Sequence, residues 1–330
     1  MDVSLFRRLS EAHPEATQQL SYQYRMNSDI MMLANHLVYA DKLKCGSHEV
    51  SANQLTLDLP VELQLSTKIQ AAWPVQVLQS RQGVRFINTD GVPGVGEKAG
   101  GPGQVRSRKL ENVVEARILA GLVQILVTGG VPPAEIAVIS PFRAQVSVIV
   151  HQLREVMGPD ADQVVEVSTI DKYQGKDKDV VLVSFVRCNP ENNVGELLTD
   201  WRRINVALTR AKQKLVLVGS KQTLSAGSSL FHTLLELIAT RQWEIPLPAT
   251  AMYTLDEVVS TVRQHCAARM RASRARVEPE PETEPVVVMN QQASHDIEAL
   301  VSSGVRIRQN GVSGPRGPIT KDIMGEYRGR

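Results

Sequence analysis

Short apolar runs recur along the middle of the chain, separated by segments in which apolar residues return at helical spacing. The runs are rich in valine, isoleucine and leucine, and they predict strands at Val84–Asn88, Ile136–Ser140, Val164–Ser168, Val180–Val186 and Leu215–Gly219. Because the runs are continuously apolar instead of alternating with polar residues, both faces of the sheet are expected to be covered. The pattern therefore predicts an α/β fold, with a parallel sheet and helices on both faces.

Five segments have the periodicity of helices that bury one face. They run over about Ser28–Tyr39, Glu111–Val127, Arg143–Met157, Trp201–Lys212 and Ser229–Arg241. Ser28 is the predicted N-cap of the first helix, and Gly129 with Gly130 ends the second. Two further segments are less regular. Residues 53–78 fit edge strands or a loop, and the glycine- and proline-rich residues 91–103 predict an exposed loop.

Composition restricts the class of protein. The chain has 330 residues, of which 42% are hydrophobic and 22% charged, and these values exclude a wholly disordered protein. No apolar run reaches the roughly 18 residues that a membrane-spanning helix needs, and Met1–Ser10 lacks the features of a secretory signal. The 37 basic and 35 acidic side chains leave a net charge of +2, so any surface that attracts nucleic acid has to be local.

The cysteines and histidines do not predict a metal site. Cys45, Cys188 and Cys266 are far apart and form no CxxC pair, so we expect thiols in a reducing compartment. The seven histidines are scattered without the spacing of zinc ligands. We therefore expect neither a zinc nor an iron–sulfur site built from this chain.

The composition changes near the end of the chain. The stretch Glu278–Pro285 is acidic and rich in proline and cannot build a core, so residues 277–330 are predicted to form a disordered tail. Arg269, Arg271, Arg274 and Arg276 form a basic run just before it. Such a run is typical of a solvated helix end, and a weak nucleic-acid or nuclear-import patch is the alternative.

Four polar or glycine-bearing segments stand at predicted strand ends or helix starts. They are Gln23–Asn27, Ser140–Gln145, Ser168–Asp179 and Trp201–Lys212. Ligands of parallel sheets bind beyond the carboxyl ends of the strands, and we expect the chemistry there. The Ser-Pro turn at Ser140 offers N–H groups that suit a phosphate, as many ordinary connections also do.

Arg25 is either a member of a surface ion pair or a ligand of an anion. Arg210, predicted near a helix end, either stabilises the helix dipole or delivers charge to a phosphate on a neighbouring domain.

Together, in this order and at these spacings, the segments resemble the second RecA-like domain of superfamily 1 helicases. Gln23–Met26 is similar to motif IV, Ser168–Asp177 to motif V and Arg202–Lys212 to motif VI. Over about residues 2–247 the chain also resembles one family in particular. That family is the eukaryotic DNA replication ATP-dependent helicase/nucleases, which process Okazaki-fragment flaps and resect broken DNA ends. The resemblance is carried by Asp2–Pro14, Asp171–Arg187 and Val194–Lys212.

The resemblance implies roles for six residues at a nucleotide. Arg25 and Arg210 match the two catalytic arginines that reach the γ-phosphate of ATP, and planar guanidinium groups suit the charge of a transferring phosphoryl group. Gln23 and Tyr24 match residues beside the nucleotide, and Tyr24 is expected to stack near the base. In the same way Gly175 permits close approach of the backbone, and Asp177 matches the acid that accepts from the ribose hydroxyl.

A second set of residues matches loops that hold the backbone of a single strand. The set consists of Ser140, Pro141, Arg143, Ser168 and Thr169. Hydroxyl and amide groups bind phosphates without reading the base sequence, as a translocating motor requires.

Two motifs of a complete motor do not occur in this sequence. There is no GxxxxGK[ST] segment, because Gly91–Gly96 is followed by Glu97, and no acidic pair after an apolar strand serves to hold Mg²⁺. The resemblance implies that the phosphate-binding motif and the acidic pair with the Mg²⁺ ligands belong to a first motor domain. It also implies that the family's nuclease domain, with its iron–sulfur cluster, is not in this chain. The expectation is a C-terminal part of such an enzyme, which is inactive by itself.

Three hypotheses follow for the function. The first is the second motor domain of an ATP-dependent 5′-to-3′ DNA helicase/nuclease, acting in DNA replication and double-strand-break repair. The second is an RNA helicase of the nonsense-mediated-decay type, which shares the motifs, although Val194–Trp201 favours the DNA enzyme. The third is a non-catalytic module that binds single strands, because the Walker lysine does not occur.

The resemblance also implies partners, a location and a domain organisation. The expected partners are single-stranded, flap or forked DNA, a single-strand binding protein and replication and repair factors, with no membrane. The expected location is the nucleus, with the mitochondrion second. The predicted organisation is a connector over 1–20, a RecA-like domain over 21–250, a helical extension over 251–276 and the tail over 277–330.

Overall fold

The computed structural model describes residues 4–59, 68, 72–99 and 110–276. The chain divides into two units, 1–275 and 276–330. The elements described below lie in the first unit, except for Arg276, the last residue of the last helix. The predicted tail, and the part of the predicted loop from residue 100 to 103, lie outside the described residues. The domain boundaries stay predictions.

The strands in the described residues are β1 (Tyr22–Gln23), β2 (Lys44–Cys45), β3 (Val84–Asn88), β4 (Lys98–Ala99), β5 (Leu110–Glu111), β6 (Ile136–Ser140), β7 (Glu166–Thr169), β8 (Lys178–Ser184), β9 (Ala211–Gly219) and β10 (Glu244–Pro246). The helices are α1 (Leu5–Ala12), α2 (Ser28–Ala34), α3 (His48–Ser51), α4 (Trp73–Gln79), α5 (Val113–Thr128), α6 (Arg143–Met157), α7 (Ala161–Val164), α8 (Glu196–Thr199), α9 (Trp201–Leu208), α10 (Lys221–Gly227), α11 (Ser229–Thr240) and α12 (Ala251–Arg276). A π-helix over Asn35–Tyr39 extends α2, and short 3₁₀ turns lie at Pro14–Ala16, Pro133–Glu135 and Asp171–Tyr173.

The central sheet has six strands in the order β10-β3-β9-β8-β6-β7, and every neighbouring pair is parallel. Two-stranded pairs are formed separately by β1 with β2 and by β4 with β5. The prediction of an α/β fold with a parallel sheet is therefore confirmed.

The core lies on both faces of this sheet because successive side chains of each strand point to opposite sides. In β6, for example, Ile136 and Val138 belong to one apolar cluster and Ala137 and Ile139 to the other. Helices α4, α5, α6 and α12 cover the first face, and α2, α9 and α11 cover the second. This arrangement explains why the strands are continuously apolar.

Three predicted elements have the bounds that the sequence indicated, namely the strands Val84–Asn88 and Ile136–Ser140 and the helix Arg143–Met157. Other bounds were wrong by a few residues. The predicted strands at 164–168 and 180–186 are Glu166–Thr169 and Lys178–Ser184, and the helix predicted over 111–127 is Val113–Thr128. Element ends move in this way because long-range hydrogen bonds, which local periodicity does not contain, decide where pairing stops.

The segment from Trp201 to Lys212 required the largest correction. It was predicted as one helix, but α9 ends at Leu208 and β9 begins at Ala211, four residues before the predicted strand. The cause is pairing with β8, because Ala211 stands opposite Lys178 and the Lys178 N–H donates to the Arg210 carbonyl at 3.1 Å. Arg210 therefore lies in the turn between helix and strand.

Two further expectations concern the first half of the chain. Helix α2 is capped by Asn27 instead of Ser28, and it changes to π-helix at Asn35. The region 53–78 was left open between edge strands and a loop; its described residues contain the start of α4 at Trp73 and no strand. In the described part of the chain no helix is both long and apolar enough to cross a bilayer.

Candidate nucleotide site and nucleic-acid interface

The residues predicted to meet ATP converge at the edge of the sheet where β8 and β9 begin. Asp177 directly precedes β8 and Arg210 directly precedes β9. Arg25 reaches the same place from the loop before α2, since its Nε donates to an Asp177 carboxylate oxygen at 3.0 Å. The expectation that the chemistry collects beyond the carboxyl ends of the strands is wrong for this group. The connection from β7 has already returned to the amino edge before it reaches Asp177.

The residues predicted to hold a single strand lie at the opposite edge. Ser140 ends β6 and Thr169 ends β7, and the two are directly paired. The same 170–177 connection leaves this carboxyl edge after Thr169 and arrives at the amino edge at Asp177. The two predicted groups of site residues are thus separated by the length of the strands, and residues 170–177 join them.

The loop Gln23–Asn27 is held in shape by its own first side chain. The Gln23 carboxamide oxygen accepts from the N–H groups of Arg25 and Met26, both at 2.8 Å, and its nitrogen donates to the Met26 carbonyl at 2.7 Å. Tyr24 is 71% exposed, and its ring lies so close to Gly46 that a Cβ there would overlap it. The geometry gives Gln23 a role in fixing the loop that presents Arg25; the nucleotide contacts of Gln23 and Tyr24 stay predictions.

Asn27, the last residue of this loop, joins three parts of the chain. Its side-chain oxygen accepts from the Ile30 N–H at 3.1 Å, which caps α2, and the side chain is almost fully buried. Its amide nitrogen donates to the carbonyls of Asn53 at 3.0 Å and Gln213 at 2.8 Å. The N-terminus of α2 is thereby tied to β9, and the loop is fixed beside Arg210.

Replacing Asn27 with alanine is expected to lower the free energy of unfolding by about 2 kcal/mol, because the variant loses the cap and leaves two part-buried carbonyls without their donor. Urea unfolding of this chain measures the effect. Ser28→Ala is the matched control, since Ser28 was the cap predicted from the sequence. The assignment of the cap fails if the Ser28 variant loses more stability than the Asn27 variant.

Arg25 is held by a carboxylate and a carbonyl. Besides the contact with Asp177, its terminal nitrogen donates to the Thr209 carbonyl at 3.2 Å. About a third of each side chain of the Arg25–Asp177 pair is exposed, so the pair is accessible to a ligand. The carboxylate that was expected to accept from a ribose therefore also neutralises one of the two arginines. Its ribose contact stays a prediction.

Arg210 has a different environment, because the hydrogen bonds of its guanidinium within the described residues go to neutral acceptors. Its Nε donates to the Val206 carbonyl at 2.9 Å, and its terminal nitrogens donate to the Thr209 hydroxyl at 2.9 Å and the Lys176 carbonyl at 3.4 Å. Burial and, after it, the neighbouring Arg25 guanidinium lower the pKa of Arg210 from its ordinary value. A half-buried cation beside a second cation, with no direct carboxylate among the described residues, is suited to bind an anion.

Gly175 has the backbone conformation that its predicted role requires. Its φ is +88°, in the left-handed region that glycine adopts without strain, and no atom lies within 4 Å of the place where a Cβ would stand. The open side of this backbone is therefore accessible to a ligand.

At the carboxyl edge the five predicted residues differ in accessibility. Ser140 is fully buried, and its hydroxyl accepts from the Phe142 N–H at 3.4 Å, so this side chain shapes the turn. Contact of Ser140 with a single strand stays a prediction. Thr169 is nearly buried, Pro141 and Ser168 are half-buried, and Arg143 is exposed at the start of α6.

Beneath this edge lies a buried polar network that sequence reasoning missed. Gln145 accepts from the Asn112 N–H at 2.7 Å and donates to the Ser184 hydroxyl at 3.0 Å. Glu115 accepts from the same hydroxyl at 2.6 Å, from the Val186 N–H at 2.9 Å and from the Asn112 amide at 3.2 Å. Burial raises the pKa of Glu115 to about 8, against the lowering effect of these hydrogen bonds. The network fixes the start of α6, and with it Arg143, to α5 and to the end of β8.

A sequence signal for this network existed, but it was weak. Asn112 and Glu115 have the spacing of an N-cap and a residue of the first turn, and Gln145 is polar in an otherwise apolar position of α6. Lys212, which contacts Asp177 at 3.5 Å, was also missed as a site residue. Its carboxylate neighbours come from distant parts of the chain, and only the fold brings them together.

The described cysteines Cys45 and Cys188 are free thiols, and burial raises the pKa of Cys188. Among residues 4–59, 68, 72–99 and 110–276 there is no group of three or more histidine, cysteine, aspartate or glutamate side chains that could hold a metal ion.

Residues 1–222 match a protein-family model described as an AAA domain. This match covers more than half of the chain, and it includes the loop of Arg25, the 170–177 connection and the turn of Arg210.

Curated relatives are similar over most of this chain. The DNA replication ATP-dependent helicase/nuclease DNA2 of Mus musculus is 41% identical over 264 residues, which is 78% of this chain and 24% of the relative. The protein of the same name in Homo sapiens is 42% identical over 254 residues, 76% of this chain and 23% of the relative. The DNA replication ATP-dependent helicase/nuclease JHS1 of Arabidopsis thaliana is 45% identical over 228 residues, 68% and 16% respectively. The chain spans a quarter or less of the length of these relatives.

Proposed function

This chain belongs to the AAA domain family, and from that premise we propose that it is the second motor domain of an ATP-dependent DNA helicase/nuclease. The names of its relatives support a role in DNA replication, and the helicase type of domain supports the use of ATP. The proposal comprises ATP hydrolysis in a cleft between this domain and a companion motor domain, coupled to movement along a single strand of DNA.

The observation that carries the proposal is the pair of arginines at the amino edge of the sheet. Arg25 and Arg210 are close enough for one charge to lower the pKa of the other, and Arg210 has no direct carboxylate partner in the described region. Like charges are stable together when an anion lies between them. The γ-phosphate of ATP, presented by the companion domain, is such an anion, and its transition state spreads negative charge that guanidinium groups stabilise.

ATP fits the residues of this edge, whereas a magnesium ion does not. The carboxylates of Asp177 and Asp179 both face the Lys212 ammonium, at 3.5 and 3.7 Å, and Asp177 also faces Arg25. Carboxylates engaged in this way are poor ligands for a further cation. We therefore place the Mg²⁺ ligands on the companion domain, together with the phosphate-binding loop that this sequence lacks.

The carboxyl edge is the proposed path of the single strand. Arg143 is exposed and Ser168 is half-buried, so a cation and a hydroxyl are available to the phosphates without reading the bases. In the proposal the strand belongs to flap or forked DNA, and single-strand binding protein with replication and repair factors are its partners.

The proposed location of the protein is the nucleus first and the mitochondrion second. The family's iron–sulfur cluster would belong to another part of the enzyme.

The experiment that tests the proposal compares this chain alone with the same chain joined to the first motor domain of the mouse relative. We expect no detectable ATP turnover from the chain alone, because it has no phosphate-binding lysine. The joined protein, in contrast, is expected to hydrolyse ATP with at least about tenfold stimulation by single-stranded DNA. The first motor domain alone is the control.

Two outcomes would count against the proposal. Turnover by the chain alone would contradict the division of the site between two domains. If the joined protein shows no ATP turnover while the pair of motor domains from the mouse relative is active, a non-catalytic module that binds single strands is favoured. The joined protein is also tested with RNA of the same base sequence, because stimulation of ATP turnover by RNA only would favour an RNA helicase.

A further inference from the structure

Lys212 lies at the centre of the charged groups at the amino edge. Its ammonium is 3.5 Å from an Asp177 carboxylate oxygen, 3.7 Å from Asp179 and 3.9 Å from Glu135. Asp177 offers its other oxygen to Arg25 at 3.0 Å. One carboxylate is therefore shared between Lys212 and the arginine that the proposed function directs toward the γ-phosphate.

Three carboxylates, those of Asp177, Asp179 and Glu135, face the Lys212 ammonium, and Asp177 also faces Arg25. Without Lys212, Asp177 would keep Arg25 as its one ion-pair partner among the described residues. Arg25 would then be the one cation left to neutralise this carboxylate.

The contacts of Lys212 are poorly suited to a purely structural role. The three contacts are long, at 3.5, 3.7 and 3.9 Å, and about a third of the side chain is exposed. What the ammonium does supply is positive potential at Asp177, and this effect does not require a short contact.

The backbone of the same residue holds the loop of Arg25. The Lys212 carbonyl accepts from the Asn27 N–H at 3.0 Å, and the Asn27 amide donates to the next carbonyl, that of Gln213. The ammonium is thus presented from a strand that is fixed to the Arg25 loop.

From these contacts, and resting on the proposed function, we infer that Lys212 is a positioning residue for Arg25. It neutralises the carboxylate of Asp177, so that Arg25 can exchange this partner for the γ-phosphate without leaving a carboxylate that lacks a cation. Asp179 and Glu135 keep the ammonium at this place. Lys212 itself touches neither ATP nor the reacting atoms.

The test uses the joined protein and measures kcat and KM for ATP with saturating single-stranded DNA. Lys212→Met is expected to lower kcat by about tenfold, because Arg25 is held more strongly by Asp177, while the melting temperature and the affinity for single-stranded DNA stay within error. Lys212→Arg is expected to keep kcat within about twofold of the original. The decisive variant is Lys212→Met combined with Asp179→Asn and Glu135→Gln, which lowers the negative charge again and should restore most of kcat.

Each alternative outcome has a distinct meaning. Normal kcat in Lys212→Met, in a joined protein that is otherwise active, would overturn this inference and leave the proposed function intact. A defect that the two neutralising substitutions do not relieve would show that Lys212 acts through packing, which also overturns it. Absence of turnover in the unsubstituted joined protein would contradict the proposed function and this inference with it.

Discussion

Arg210→Ala in the joined protein is expected to lower DNA-stimulated ATP turnover by about 10³-fold or more, the range observed when an arginine that stabilises a transferring phosphoryl group is removed. The guanidinium is held by the Val206 carbonyl and the Thr209 hydroxyl, and none of its contacts in the described region neutralises its charge. Alanine removes this charge from the cleft and leaves only neutral acceptors behind.

The same experiment separates catalysis from binding of the strand. Affinity for single-stranded DNA is expected to stay within about twofold, because Arg210 lies at the amino edge of the sheet and the proposed strand path lies at the carboxyl edge. Arg117→Ala is the matched control; Arg117 forms an exposed ion pair with Asp256 between α5 and α12, and its loss should leave turnover unchanged. Equal turnover in the Arg210 and Arg117 variants would remove the main support for the proposed function.

Glu115→Ala is expected to lower the free energy of unfolding by at least about 3 kcal/mol. The substitution leaves the Ser184 hydroxyl, the Val186 N–H and the Asn112 amide without their shared acceptor, in a place that water does not reach. Each buried donor without a partner costs about 1–3 kcal/mol. Since domains are stable by only about 5–15 kcal/mol, this variant should be largely unfolded in mild denaturant.

Glu115→Gln provides the control and a dependence on pH. It keeps the shape and one acceptor, so we expect a smaller loss than with alanine. Burial raises the folded pKa of Glu115 to about 8, above the ordinary value of 4.5, so its contribution to stability is fully present below about pH 4.5 and is lost as the pH rises through 8. The advantage of the original protein over the glutamine variant should therefore shrink over this window, by at most about 1.4 kcal/mol per pH unit.

Urea unfolding of this chain at several pH values from 5 to about 9 measures the effect. The comparison with glutamine is needed because Lys214 titrates in the opposite sense. Burial lowers the pKa of this lysine to about 7, so its unfavourable contribution is relieved as the pH rises above 7. Lys214 is present in both proteins, and its effect cancels in the difference. Parallel stability curves for the two proteins would show that Glu115 binds the same number of protons in the folded and unfolded states over this range, and hence that its folded pKa is not raised.

The sequence was sufficient for the fold class because burial on both faces produces continuously apolar strands, such as Ile136–Ser140, that need no knowledge of partners. It was insufficient around Arg210. Helical periodicity continues through Ala207, Leu208 and Ala211, and only pairing of Ala211 with Lys178 ends the helix. The apolar pattern of one segment does not show that strand pairing with another segment competes with continuation of the helix.

Only part of the site was predicted, because contacts between separate elements do not show in the sequence of one segment. Motif resemblance indicated Arg25, Asp177 and Arg210, and the fold brings these three together. Resemblance did not indicate that Ser140 is enclosed, since the depth of a strand end depends on the helices above it. Nor did it indicate Lys212, whose importance arises from carboxylates contributed by separate elements.

The connection from Thr169 to Lys178 has very little slack. It passes β6, which lies between β7 and β8, and it runs from the level of Ser140 to below that of Ile136. Strand spacing and rise put its ends about 22 Å apart, and nine residue steps that include the 3₁₀ turn Asp171–Tyr173 reach only about 26 Å. A deletion of even one residue would shorten this tether to nearly its minimum. We therefore expect this segment to accept substitutions of its side chains more readily than the loss of a residue.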